Sequence, residues 1–344
     1  MSVRYIRSLL EIFNKQRLKT RKNRQGGFTL TELLVTIILG SLIVAGLMGL
    51  VVELLTTEAR ETARTETQRE MQMALDYIST DLREAVYVYD GACLSGEDQE
   101  DANGNKILGS QCKGLFNHID VPQNSTPVLA FWKLDPLPEA VGCGDGGVAG
   151  VPCLSGRSYT LVVYFLRENQ QGEPWRGMSR ILRYELPQFT SDGTEVAGYI
   201  SPETISFGEW PGDNDPDGGF LATLVDFVDS RPLDDNDLKE SVGDNGQAAS
   251  VQCPSGYTLT PSDDTLEQNG FPNLRNFYAC VRVPQSLLAE GGGQTEGSFN
   301  QKVILFVRGN ALGKPGIDDA NEGFMPAIAT QVLNRGIRGK VPLQ

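Results

Sequence analysis

Three patterns of apolar and polar residues follow one another along the chain. From Leu33 to Val52 twenty residues pass without a charge. At about 1.5 Å of rise per residue, a helix of that length spans roughly 30 Å, the thickness of a bilayer's hydrocarbon core. From 53 to 86 there is no Gly or Pro, and Met71, Leu75, Ile78, Leu82 and Val86 recur at helical spacing with Ala74 and Ala85 beside them. This predicts that the helix continues beyond the apolar run as an amphipathic one, with that stripe packed on a domain. Glu58, Arg60, Glu61, Arg64, Glu66, Arg69 and Glu70 alternate in sign on the other side, which reads as a solvated, partly subunit-facing surface.

Beyond Asp90 the pattern changes to short runs of β-branched, aromatic and aliphatic residues between clusters of Gly, Asp, Asn and Pro. These runs are VLAFWKL (128–134), YTLVVYFL (159–166), SRILRYEL (179–186), LATLVDFV (221–228), FYACVRV (277–283) and KVILFVRG (302–309). Each is a strand signal. The second and third, joined through QQGEPWRG, predict adjacent antiparallel strands. Long loops are expected at 91–125, 135–157 and 229–276, and no internal repeat is apparent.

Charge is split along the chain. Residues 1–27 hold eight Lys or Arg against Glu11 alone, leaving 22 basic and 43 acidic residues in the remainder, a net of −21. A basic segment beside a membrane helix stays on the cytoplasmic side, so the C-terminal part is expected across the membrane. Nucleic acid is not a partner such an acidic domain would attract.

All six cysteines, Cys93, Cys112, Cys143, Cys153, Cys253 and Cys280, follow the apolar run. Their even number and position suit disulfides formed in an oxidising compartment. Pairing by neighbours (93 with 112, 143 with 153, 253 with 280) is the simplest of fifteen connectivities, and buried free thiols are the other reading. There is no CxxC and His118 is the only histidine, which argues against a zinc site.

Glu32 stands at the mouth of the apolar run, where an ionisable group needs a partner or a task. A secretory signal peptide fits poorly, because the run is too long and no small-x-small cleavage site closes it. A plain single-pass anchor accounts for the length and leaves Gly26-Gly27-Phe28 and Glu32 without a role. Gly27-Phe28-Thr29-Leu30-Thr31-Glu32, followed by the apolar run, resembles the processing motif of type IV prepilins and type II secretion pseudopilins.

That resemblance implies cleavage between Gly27 and Phe28 by a membrane prepilin peptidase, which methylates the new amine. It implies assembly with other pilins on an inner-membrane platform, with Glu32 neutralising the amine of an adjacent subunit. A lone charge in a low-dielectric bundle is costly, so such a pair enforces register. The implied fold is the α+β pilin fold, a long helix packed on an antiparallel β-sheet head. The chain then divides into a removed leader (1–27), a membrane and assembly helix (28–55), its amphipathic continuation (56–90) and a periplasmic or extracellular head (91–344). Gly40, Gly46 and Gly49 either permit close helix packing in the membrane or are ordinary membrane-helix glycines.

More narrowly, MQMALDYISTDLREAVYVYD (71–90) and YFLRENQQGEPWRGMSRILRYEL (164–186) resemble large W-type minor pilins and, more closely, the pseudopilins of hormogonium polysaccharide secretion in filamentous cyanobacteria. The function this implies is that of a minor filament subunit supporting polysaccharide secretion and gliding. A filament-tip adhesin for polysaccharide or a surface, and an abundant fibre-forming pilin, are the alternatives.

Asp213-Asn214-Asp215-Pro216-Asp217-Gly218 has the D-x-D-x-D-G spacing of calcium loops. Leu224 stands where the closing glutamate belongs, so Asp226 or Asp229 would have to substitute. A calcium site at Asp213, Asp215 and Asp217 and a solvated acidic turn both remain open, and no cofactor is otherwise required. With a single histidine, and with acid pairs such as Asp234 and Asp235 reading as solvent-facing charge, an enzyme is not expected.

Overall fold

A computed structural model describes residues 27–96, 99–100, 106–107, 112–138, 141, 156–202, 204–205, 207–212, 216, 218–231, 253–271, 274–282 and 301–334. Cys143, Cys153, Asp213, Asp215 and Asp217 lie outside them, as does the basic N-terminal stretch up to Gly26. The chain divides into two compact units, Met1–Thr56 and Thr57–Gln344. Helix α1 (Leu30–Glu84) supplies residues to both.

In the first unit α1 is apolar and exposed, long and apolar enough to cross a membrane. Its hydroxyls are satisfied on the helix itself. Thr36 Oγ1 donates to the Leu33 carbonyl at 2.8 Å and Ser41 Oγ to that of Ile38 at 2.9 Å. A helix surrounded by hydrocarbon needs this internal satisfaction, because lipid offers no partner.

The second unit is α+β. Its larger sheet is antiparallel with strand order β1 (Ala85–Val88), β4 (Ser125–Pro136), β5 (Arg157–Glu168), β6 (Ser179–Leu186), β7 (Phe220–Val228). A second antiparallel sheet has the order β11 (Ile328–Leu333), β10 (Lys302–Val307), β9 (Phe277–Arg282), β8 (Tyr257–Thr260). A ribbon of β2 (Gln99–Glu100) and β3 (Lys106–Ile107) and the short helices α2 (Gly91–Ser95), α3 (Asp263–Gln268) and α4 (Ala320–Gly323) complete it. The expected single sheet is therefore two. The six runs identified from sequence are all strands, while β1, β8 and β11 carry weaker signals.

The core explains why. Met71, Leu75, Ile78 and Leu82 of α1 are buried with Phe131, Val162, Tyr164 and Ile181 of the first sheet and with Phe277, Val281, Val303 and Leu305 of the second. A second cluster holds Leu161, Val163 and Phe165 of β5 against Trp132, Trp210, Tyr89 and Leu94. Strand β5 is thus covered on both faces, which is why it reads as a continuous apolar run, whereas β10 is buried only at alternate positions. In the second cluster Trp132 Nε1 donates to the Tyr89 hydroxyl at 3.0 Å, and that hydroxyl donates to the Phe207 carbonyl at 2.7 Å.

Two expectations are corrected here. The helix ends at Glu84 and not at Asp90, because Ala85–Val88 pairs with Phe131–Lys133 of β4. Val86 therefore belongs to a strand although its spacing continues the helical stripe. Val86, Tyr87 and Val88 are good strand formers, and the neighbouring strand decides between the two periods. The charged surface of 58–70 is likewise not simply solvated. Lys314 Nζ lies 2.9 Å from Glu70 and 3.2 Å from Glu66. Arg60 Nε donates to the Gly316 carbonyl at 2.9 Å, and Arg64 donates to that of Glu322 at 3.0 and 2.6 Å. The chain there passes so close to α1 that a Cβ on Gly316, whose φ is +83°, would stand 3.2 Å from Ala59 Cβ and Arg60 N.

At the end of the apolar stripe a chain of charges joins α1 to the first sheet. Arg183 donates from Nε to Asp81 at 2.8 Å and from Nη1 to Glu185 at 2.7 Å, and Lys133 lies 3.0 Å from Glu185 and 3.2 Å from Asp135. Burial alone pushes the Glu185 carboxyl up, but the Arg183 hydrogen bond and the charges of Arg183 and Lys133 outweigh it, so its pKa falls below the ordinary value. Lys133 is pulled down by burial and raised more by Asp135 and Glu185, ending above its ordinary value. A carboxylate with a depressed folded pKa contributes stability that is present above its unfolded value and lost as pH falls through the folded one. Glu185→Gln should therefore cost about 1.5 to 3 kcal/mol at pH 7. The difference from the parent should vanish in acid, well below the ordinary carboxylate pKa. Thermal melts of both chains across pH 3 to 7, on the order of the carboxylate range, check this.

Candidate functional site

The motif residues Gly27 to Glu32 lie where α1 starts, so the local backbone there matters most. Gly27, Phe28 and Thr29 lie outside the helix, which begins at Leu30. Thr29 is the residue that stops it. Its Oγ1 accepts from the Glu32 N–H at 3.3 Å, and its carbonyl accepts from the N–H groups of Glu32 and Leu33, both at 3.1 Å. A side-chain oxygen in that position satisfies a backbone donor that has no partner in the helix. Thr29-Leu30-Thr31-Glu32 also has the T-x-x-E spacing of a capping box just before an apolar run. The sequence carries this signal in four contiguous residues, and it sets the helix start at Leu30.

The cap leaves the Gly27–Phe28 peptide beyond the helix and accessible. Nothing approaches within 4 Å of a Cβ built on Gly27, and Phe28 is 77 % exposed. Glu32 is exposed in the first turn, where a carboxylate is favoured by the positive end of the helix dipole. Gly40, Gly46 and Gly49 have open space at their missing Cβ positions. This surface offers an accessible Gly27–Phe28 peptide, an acid four residues beyond it and apolar side chains without cover.

Residues 22–48 match the family model described as the prokaryotic N-terminal methylation motif. The chain starts like a type IV pilin-like protein. The matched segment spans the end of the basic N-terminal stretch, the capped helix start and most of the apolar run. It supports a pilin or pseudopilin subunit processed by a prepilin peptidase, anchored in a membrane and assembled with other pilins. No curated protein and no solved structure matches in the corresponding comparisons.

Elsewhere the structure joins Cys93 to Cys112 with S–S 2.03 Å, and Cys253 to Cys280 with S–S 1.98 Å. Among the described residues no cysteine is free. The first bridge closes the segment carrying β2 and β3. Its Cys93 sits in α2, whose cap is the buried Asp90, with a carboxylate that accepts from the Cys93 N–H at 3.0 Å. Burial pushes the Asp90 carboxyl above its ordinary pKa, and the hydrogen bonds from Cys93 and Ala92 offset part of that shift. The second bridge ties the chain before β8 to β9. No group of three or more His, Cys, Asp or Glu able to hold a metal occurs among the described residues.

Proposed function

We propose that this chain is a minor pilin-like subunit whose mature form begins at Phe28. The observation that carries the reading is the methylation motif at 22–48 falling on a helix start that leaves the Gly27–Phe28 peptide outside the helix. Residues 1–27 are the leader removed by prepilin peptidase. The apolar part of α1 holds the subunit in the cytoplasmic membrane before assembly and packs with other subunits afterwards. Glu32 pairs with the new amine of a neighbour, and the acidic head lies on the far side of the membrane. A head of this size suits a minor component better than a tightly repeated shaft subunit.

The finer reading places the subunit in a filament that drives polysaccharide export and gliding. Its support is the resemblance of the helix tail and the β5–β6 hairpin to the hormogonium pseudopilins. Polysaccharide is then cargo, and the head moves with a short filament extended by adding subunits at the helix layer. Deleting the gene should lower exported polysaccharide and gliding together, and polysaccharide from wild-type cells should partly restore movement. Normal secretion with weakened attachment would point to a tip adhesin.

Mass spectrometry of the mature chain tests the reading at its base, with N-methylated Phe28 as the expected first residue. A chain that keeps Met1, or one cut beyond the apolar run's start, removes it. Glu32→Leu makes the helix more apolar and should leave membrane insertion intact. Incorporation into filaments should fall sharply, as read by immunoblot of sheared filaments against the membrane fraction.

A further inference from the structure

Strand β7 ends the five-stranded sheet, and only its C-terminal part is closed on the outer side. Val228 bridges to Gly309, the Asn310 N–H donates to the Phe227 carbonyl at 2.8 Å, and the Asp229 N–H donates to that of Arg308 at 3.0 Å. From Phe220 to Val225 the outer row of backbone groups has no strand partner among the described residues. These six residues, FLATLV, contain no charge and no proline, the two devices that commonly guard an edge. Phe220 is 58 % and Leu221 47 % exposed. The opposite edge is treated differently. The Val88 N–H of β1 donates to Gln301 Oε1 at 2.8 Å, and Gln301 Nε2 donates to the Val88 carbonyl at 2.6 Å.

Helix α1 extends the same surface. Phe220 is paired with Glu185 and Ala222 with Arg183. Side chains opposite one another in an antiparallel pair share a face. Arg183 binds Asp81 of α1 and lies 5.9 Å from the Tyr77 ring, so Phe220 and Ala222 stand on the side of the sheet that meets the helix. There Tyr77 is 47 % exposed and Met73, one turn earlier, 52 %.

We propose that this face receives an extended, uncharged strand from a neighbouring subunit of the same filament. The strand adds to β7 through main-chain hydrogen bonds and lays apolar side chains, at every second position, over Phe220, Tyr77 and Met73. The proposal rests on the pilin-like reading above. Charge favours this occupant. Residues beyond the leader carry a net of −21, so most of this head repels an acidic partner, and its charge-free edge is where an uncharged strand can approach. Size agrees too, because a six-residue strand covers far less than the roughly 800 Å² per partner of a stable free complex. The contact therefore needs a partner already held close, as subunits joined through their N-terminal helices are.

The test uses the full-length chain in filament-forming cells. A photo-crosslinking amino acid at Ala222, exposed on the helix side of β7, should give an adduct to a peptide of another filament subunit on irradiation. Phe220→Lys and Ala222→Lys, both on the helix side of β7, should each lower the amount of this chain in sheared filaments several-fold. Cleavage at Phe28 and the melting temperature should be unchanged, and Gln331→Lys on β11 should have no effect. Lysine variants that melt normally and enter filaments at the parent level overturn the proposal, as does an adduct only to lipid, to polysaccharide or to a second copy outside filaments. Should a lysine variant fail to fold, the crosslink decides by itself. Absence of the parent chain from filaments would instead overturn the pilin-like reading, so the two failures are distinguishable.

Discussion

Burial of one helical stripe, Met71, Leu75, Ile78 and Leu82, is the contact on which the head depends. Both sheets present a face to it, with Val162, Tyr164 and Ile181 on one side and Val281, Val303 and Leu305 on the other. Neither sheet could bury its apolar face in this way without the helix, since a sheet needs a second layer to form a core. The head is thus organised around the element that also carries the apolar N-terminal run, and its sequence must satisfy two solvents within one continuous helix (Leu30–Glu84). From Leu33 to Val52 it carries no charge on any side. From Thr57 it is amphipathic, with an apolar stripe and a charged remainder.

Charge then determines how firmly that helix is held. Arg183 and Lys133 link Asp81, Glu185 and Asp135 across the end of the stripe. Lys314, Gly316 and Glu322 meet Glu66, Glu70, Arg60 and Arg64 along 60–70. Lys314 is itself buried and lies 4.6 Å from the Phe227 ring. A buried ammonium without its carboxylates would be strongly unfavourable, so these contacts favour one position of the C-terminal segment over others. They also account for a run of alternating charges that would otherwise suggest only solvent.

The start of the helix follows a simpler rule. Thr29 offers its hydroxyl to the Glu32 N–H and so sets the boundary between extended chain and helix two residues beyond the Gly27–Phe28 peptide. An acid in the first turn is compatible with the helix dipole, and its carboxylate is exposed. Local capping and the proposed assembly role therefore use different atoms of Glu32, its backbone N–H for one and its carboxylate for the other.

What the sequence by itself determined lies where neighbouring residues decide the physics. Twenty uncharged residues commit α1 to an apolar environment, the Gly27-to-Glu32 motif is contiguous, and the doubly buried strands β4 and β5 announce themselves as long apolar runs. The α+β class and the long helix were legible for those reasons. Tertiary structure decided the rest, because there the competing partners are far apart in the chain. Val86 could extend a helical stripe or join a strand, and β4, some forty residues on, settles it. Glu66 and Glu70 look solvent-facing until Lys314 reaches them from the far end of the chain. The second sheet was unreadable as such, since β8 and β11 are short and half-polar and become strands by pairing with β9 and β10. Periodicity records which face a segment can bury, and it carries no information about which distant segment will cover that face.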